Sequence, residues 1–232
     1  MAPAAKRNVY SGTVGTIKRM RLMKQDARDY RAGSTDRIAR SALALARRNA
    51  SLFEKKHIDS VIGSTGMSST PTAYHLTAIT QGDSDEERIG LQVQMSGLKL
   101  NWTARPSVSA GAATFLRVMV VVKKTPGTSI TNAELFEDTT TGRMHYSVQE
   151  WVHRYAHKVL YDKTLECGRG GPVGTTGIAH SVWIPIPAGC QKVRFDNSGN
   201  PEKNSLHLVI VSNQATNTPG VEFNRRLYFK DA

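Results

Sequence analysis

Residues 91–102 read LQVQMSGLKLNW, and their spacing decides the fold. Leu91, Val93 and Met95 alternate with polar residues, a period of two that turns one face of a strand toward a core. After Gly97 the alternation resumes one position later, at Leu98, Leu100 and Trp102. A glycine at such a phase slip predicts a β-bulge, where one extra residue puts the apolar side chains back on the inner face.

The same pattern spreads outward from this stretch. Residues 114–124 (TFLRVMVVVKK) form a β-branched run predicted to be a strand buried in part on both faces. Residues 155–166, 180–187, 190–196, 205–213 and 221–230 are further predicted strands, and 131–137 (TNAELFE) a short helix. Turn chemistry separates them at Pro126-Gly127, Pro187-Ala188-Gly189, Asn197-Ser198-Gly199-Asn200-Pro201 and Pro219-Gly220. Many strands without alternating long helices predict an all-β antiparallel sandwich, barrel or jelly roll over residues 73–232. Cys167 and Cys190 are too few for a disulfide framework and are expected to be reduced thiols in or near the core.

The N-terminal quarter differs in charge. Residues 1–57 hold 14 Lys and Arg against 4 Asp and Glu, a balance of +10 out of the chain's +12, which leaves +2 for residues 58–232. A localised positive arm on a near-neutral body indicates a polyanion contact, driven by counterion release and insensitive to base sequence. Residues 1–33 are basic and broken by Gly12, Gly15 and Gly33, and are expected to be disordered when free. Residues 35–56 are expected to form an amphipathic helix, with Ser34, Thr35 and Asp36 as N-cap candidates. Arg37, Arg40, Arg47, Arg48 and Lys55 fall within an arc of about 100° on it, and Ile38, Leu45 and Leu52 mark another face. The nucleic-acid-binding set is therefore Lys6, Arg7, Lys18, Arg19, Arg21, Lys24, Arg28, Arg31, Arg37, Arg40, Arg47, Arg48, Lys55 and Lys56. Residues 58–72 (IDSVIGSTGMSSTPT), rich in Ser, Thr and Gly, are read as a linker between arm and body.

Catalytic chemistry finds little support. His153 and His157 would share a helix face with Glu150, but the segment alternates as a strand and contains no H-E-x-x-H. Cys167-Gly-Arg-Gly-Gly-Pro-Val-Gly174 lacks the lysine and the helix start of a phosphate-binding loop, and Ser181 has no nucleophile-elbow context. Trp102, Trp151 and Trp183 lie in strand patterns, where core or subunit packing is favoured over base stacking. No apolar run of membrane-spanning length is present, and the first 30 residues hold no apolar core of a secretory leader. Asp83, Asp85, Glu86 and Glu87 make one acidic turn. The chain is expected not to be an enzyme.

The order of several short signals resembles a known family. Ile79-Thr-Gln-Gly-Asp83 leads to Arg88-Ile-Gly-Leu-Gln-Val93 and Leu98-Lys-Leu100. Thr114-Phe-Leu-Arg-Val118, His157-Lys-Val-Leu-Tyr-Asp162 and a final strand closing at Asp231-Ala232 follow. Over roughly residues 35 to 232 this resembles the coat proteins of small satellite plant viruses of the satellite tobacco necrosis type, and the capsid proteins of small circular single-stranded DNA viruses. The resemblance implies an eight-stranded antiparallel jelly roll with a partly helical basic arm. Its strands would be 91–104, 114–124, a short one near 146–151, 155–166, 180–187, 190–196, 205–213 and 221–230, with 73–80 as an extra strand or arm contact. It further implies an icosahedral shell of roughly sixty copies, assembled inside the host cell, with the arm turned inward on a single-stranded RNA or DNA genome. By position it implies structural calcium at subunit boundaries, held by Glu54, Asp83, Gln92 and Asp231. Ile89 stands where a serine ligand would fall, so a basic partner in place of the ion is the other expectation. A cellular nucleic-acid-binding sandwich that forms no shell is the alternative function.

Overall fold

The computed structural model describes residues 35–36, 38–43, 55–150, 152–169 and 177–231. The chain divides into two units, Met1–Phe53 and Glu54–Ala232. In the first, residues 35–36 and 38–43 are helical and exposed.

The second unit is built from β1 (Lys56–Gly66), β2 (Thr72–His75), β3 (Gln92–Arg105), β4 (Thr114–Lys123), β5 (His157–Gly168), β6 (Ile178–Pro185), β7 (Lys192–Phe195), β8 (Pro201–Lys203), β9 (Ser205–Ser212) and β10 (Gly220–Asp231). One sheet runs β1-β10-β3-β7-β8, with β6 also paired to β3; the other runs β2-β9-β4-β5. Every pair of these strands is antiparallel, and the pairing is nested. β4 pairs with β5, β3 with β6 and β7, β2 with β9, and β1 with β10. A single long hairpin bent at β4–β5 gives that nesting. Rolling the ribbon onto itself adds the contacts of β10 with β3 and of β9 with β4. The product is a jelly-roll-like two-sheet sandwich.

The phase slip in 91–102 is the expected bulge. Tyr228 lies opposite Gly97 and Phe229 opposite Met95, so Ser96 is the extra residue. It returns Val93, Met95, Leu98, Leu100 and Trp102 to one inner face, where they meet Leu116, Val118, Val120 and Val122 of β4 and Leu206, Leu208 and Ile210 of β9. The alternate residues Met119, Val121, Val209 and Val211 form a second cluster with Ile130, Leu135, Phe136 and Met144. Those partners come from the β4–β5 connection, which covers the outer face of the second sheet. This accounts for the continuous apolar run of β4. The short helix Asn132–Leu135 lies there, and the Glu134 carboxylate accepts the Thr131 N–H at 2.7 Å. Arg117 fixes the connection to β5. Its guanidinium donates to both Asp162 carboxylate oxygens, at 2.8 and 2.6 Å, and to the carbonyls of Met144 and Ser147. Cys167 and Cys190 are buried and unpaired, and burial, with a contribution from Glu166, pushes the Cys167 thiol up to about 11.

Two expectations differ from the structure. Residues 58–66 are not linker but most of β1, paired with β10 from Lys56↔Phe229 to Gly66↔Gly220. Ile58 and Ile62 pack against the core, so a period of two underlies the Ser- and Gly-rich composition. The strand expected near 146–151 does not form over the described residues 146–150, which make one bridge, Phe136↔Gln149, beside a run of turns. Segment 73–80 opens with the extra strand expected there: β2 is an edge strand of the second sheet. The eight expected strands thus lose one member and gain β1, β2 and the short β8.

Candidate nucleic-acid interface and its anchor

Most of the basic set lies outside the described residues: Lys6, Arg7, Lys18, Arg19, Arg21, Lys24, Arg28, Arg31, Arg37, Arg47 and Arg48. Arg40 is exposed on the helical segment and Lys55 is exposed just before β1, so both can reach a phosphate.

Lys56 cannot, and its place in the nucleic-acid-binding set is corrected. It begins β1 and shares the parity of Ile58 and Ile62, so its side chain turns inward and is 1% exposed. The ammonium donates to the carbonyl oxygens of Glu87 at 3.0 Å and Ser84 at 3.2 Å, and lies 3.2 Å from Asp231 Oδ2. Asp231 Oδ1 accepts the Ile89 N–H at 3.1 Å. The acidic turn therefore presents carbonyls, not carboxylates, to this cation; Asp83, Asp85 and Glu86 stay exposed. Glu87 instead accepts the Ser84 N–H at 3.2 Å, and these bonds to Ser84 lower its carboxyl below the usual range. Arg88 secures the far side of the turn. Its Nε donates to the Ile79 carbonyl at 3.2 Å, its Nη1 to that of Gly90, and its guanidinium carbon lies 4.4 Å from the Phe195 ring centroid. The start of β1 is thereby tied to the acidic turn and to the end of the last strand at one point.

The implied calcium set does not fit this geometry within one chain. Glu54 lies outside the described residues. Both Asp231 oxygens are engaged, one by an ammonium that already supplies the positive charge. Asp83 is exposed, and Gln92 lies across from Arg194 at the start of β3. Among the described residues no three His, Cys, Asp or Glu side chains gather as a metal site. Two carbonyls and a carboxylate do surround a cation here, and it is Lys56.

Removing that cation leaves a largely buried carboxylate and two carbonyls without their donor. Lys56→Met is expected to lower the unfolding free energy by about 2–4 kcal/mol, read from urea denaturation. A change below about 0.5 kcal/mol would show that the clasp contributes nothing.

His153 is exposed on a turn and His157 is buried at the start of β5, so the pair does not face a common ligand. Trp102 is buried and Trp183 is half-exposed on the outer side of β6. Among the described residues no helix is long and apolar enough to cross a membrane.

No protein-family profile and no curated protein matches the chain. Solved structures do overlap with it. The Turnip yellow mosaic virus structure is 15% identical over 77% of this chain and 94% of that one, with a TM-score of 0.35. The Cocksfoot mottle virus structure is 11% identical over 78% and 84%, with a TM-score of 0.39. Dimeric latent PorU from Porphyromonas gingivalis is 9% identical over 77% of this chain and 13% of that one, with a TM-score of 0.34. These likenesses concern general strand layout alone.

Proposed function

We propose that this chain is a non-enzymatic viral capsid protein of the satellite-virus type. It assembles with itself into an icosahedral shell of roughly sixty copies and packages a single-stranded genome through its basic arm. The observation that carries the reading is the division of charge: +10 over residues 1–57 against +2 over the remaining 175. The body is a jelly-roll-like sandwich whose first strand is clasped at Lys56. Tyr146, Val148, Val152 and Tyr155 crowd into ten residues of the β4–β5 connection and are each 62–74% exposed. Apolar exposure of that density suits burial against a second copy.

Packaging on this reading is charge neutralisation without base readout, since phosphate contacts carry no sequence information. Closed symmetry limits growth to a particle. Within one subunit Lys56 neutralises Asp231, so chelators leave the individual subunit folded.

Changing Arg37, Arg40, Arg47 and Arg48 together to Gln tests the role of the arm. The packaged nucleic acid per subunit is expected to fall at least twofold, with an unchanged thermal unfolding midpoint. Undiminished nucleic acid in the variant particles would refute a packaging role for these four residues.

A further inference from the structure

The outward face of the first sheet carries a row that runs straight across four strands. Asp59 of β1 lies opposite Arg226 of β10, Arg226 opposite Lys99 of β3, and Lys99 opposite Trp183 of β6. Two cations stand directly across from each other, an arrangement that destabilises a sheet unless a negative charge offsets it. One carboxylate is present: Asp59 accepts both Arg226 bonds, at 2.7 and 2.6 Å. Lys99 has no carboxylate partner among the described residues. It lines a hollow of about 230 Å³ with Asp59, Asn101, Asn224, Arg226 and Tyr228; the Asp59 carboxylate there is already taken up by Arg226, so the row carries one positive charge in excess.

Trp183 stands at the end of that row, 52% exposed. It rests in the notch left by Gly97, where a Cβ would come within 2.2 Å of the ring, and Tyr228 meets it edge-on at 5.4 Å between centroids. The indole is thus held in place by a missing side chain and a neighbouring ring while about half of it stays open. Beyond it on the same sheet, Lys192 is exposed without a carboxylate partner among the described residues, and Arg194 pairs with Glu202 at 3.0 Å.

An excess positive charge at an open hollow beside a fixed, half-exposed aromatic ring matches the chemistry of a single nucleic-acid strand, with phosphate at the cations and a base on the ring. We propose that this face is a second contact surface for single-stranded nucleic acid, independent of the arm: a phosphate sits between Lys99 and Arg226 and a base stacks on Trp183. The proposal rests on the nucleic-acid-packaging reading and adds a place where the β-domain itself touches the strand.

The test uses the full-length chain and a single-stranded oligonucleotide carrying 5-iodouracil, irradiated while bound, with the adduct located by mass spectrometry. The expected adduct is on Trp183 or Tyr228. Lys99→Gln is expected to reduce the slope of log affinity against log salt by about 0.7, one phosphate contact. Trp183→Leu is expected to weaken binding roughly fivefold or more. Lys158→Gln, on an exposed position of β5 in the other sheet, should bind as wild type. An oligonucleotide that binds but leaves no adduct at either ring, with both variants matching wild type, would overturn this contact and leave the packaging role of the arm standing. Variants that bind as wild type but change the particle mass would overturn it in favour of a face covered by a second copy. A full-length protein that binds no oligonucleotide would remove the packaging reading, and this contact with it.

Discussion

A chain starting at residue 54 is expected to fold but to carry far less nucleic acid than the full-length chain, whereas one starting at residue 58 is expected to be unstable as well. The first deletion removes 12 of the 14 basic residues of the arm region but keeps Lys55, Lys56 and the whole of β1. Counterion release scales with the number of phosphates neutralised. Losing several such contacts at moderate salt therefore costs about a thousandfold or more in affinity. The second deletion also takes Lys56, with its bonds to Glu87, Ser84 and Asp231, and the first two residues paired with β10. Absorbance at 260 and 280 nm with urea denaturation of both variants separates the two effects. Wild-type nucleic-acid content in the 54–232 protein would show that the β-domain alone suffices for packaging. Equal stability of the two deletions would show that the Lys56 clasp is dispensable.

The second large effect is acid sensitivity of the sandwich. His75 of β2 and His207 of β9 are cross-strand partners whose rings stack at 5.2 Å. His75 Nε2 lies 2.8 Å from Thr77 Oγ1, and His207 Nε2 lies 2.9 Å from Ser205 Oγ. Burial, with Arg225 nearby, lowers His75 to about 4. Burial, with His75, Lys123 and His157 nearby, lowers His207 to about 3, and Glu134 opposes this only in part. In the unfolded chain both titrate near the ordinary histidine value of about 6.5. The unfolded state therefore binds more protons below that pH. The stability held by the two neutral rings is complete above about pH 6.5 and drains away as the pH falls toward 4. Each unit of pH across that window costs up to about 1.4 kcal/mol per ring, and because the rings also repel each other when charged, the two losses are not independent. Denaturation at pH 7.5, 6.0 and 4.5 should show a steep decline for wild type and a flatter one for His207→Gln. Parallel curves for the two proteins would exclude the histidine pair as the cause.

How much of this could be read in advance depended on whether the signal was local. The bulge in 91–102 was legible because an alternation and its slip lie within one short run. The double burial of β4 was legible because Val118 to Val122 leave no polar face. β1 was hidden by composition: Ser60, Gly63, Ser64 and Thr65 suggest a linker, although Lys56, Ile58, Ser60 and Ile62 share one parity and turn inward. That same parity would have removed Lys56 from the phosphate-binding set. Residues 146–151 read as a strand in the sequence because Tyr146, Val148 and Trp151 have strand-forming side chains. The described residues 146–150 make only the one bridge, and they follow the turns that carry Met144 into the second cluster. The division of charge needed only counting. The Lys56–Asp231 pair joins residues 175 positions apart, and the Arg226–Lys99–Trp183 row joins three strands. Neither has a local signature.

The central claim is a closed shell that holds nucleic acid, and the most direct measurement is the light-scattering mass of the full-length protein with absorbance at 260 and 280 nm on the same peak. With a 25.5 kDa chain, roughly sixty copies give a protein mass of about 1.5 MDa, and a particle at or above that mass with a nucleic-acid absorbance ratio is expected. A monomer, dimer or trimer that stays small when single-stranded nucleic acid is added would contradict it.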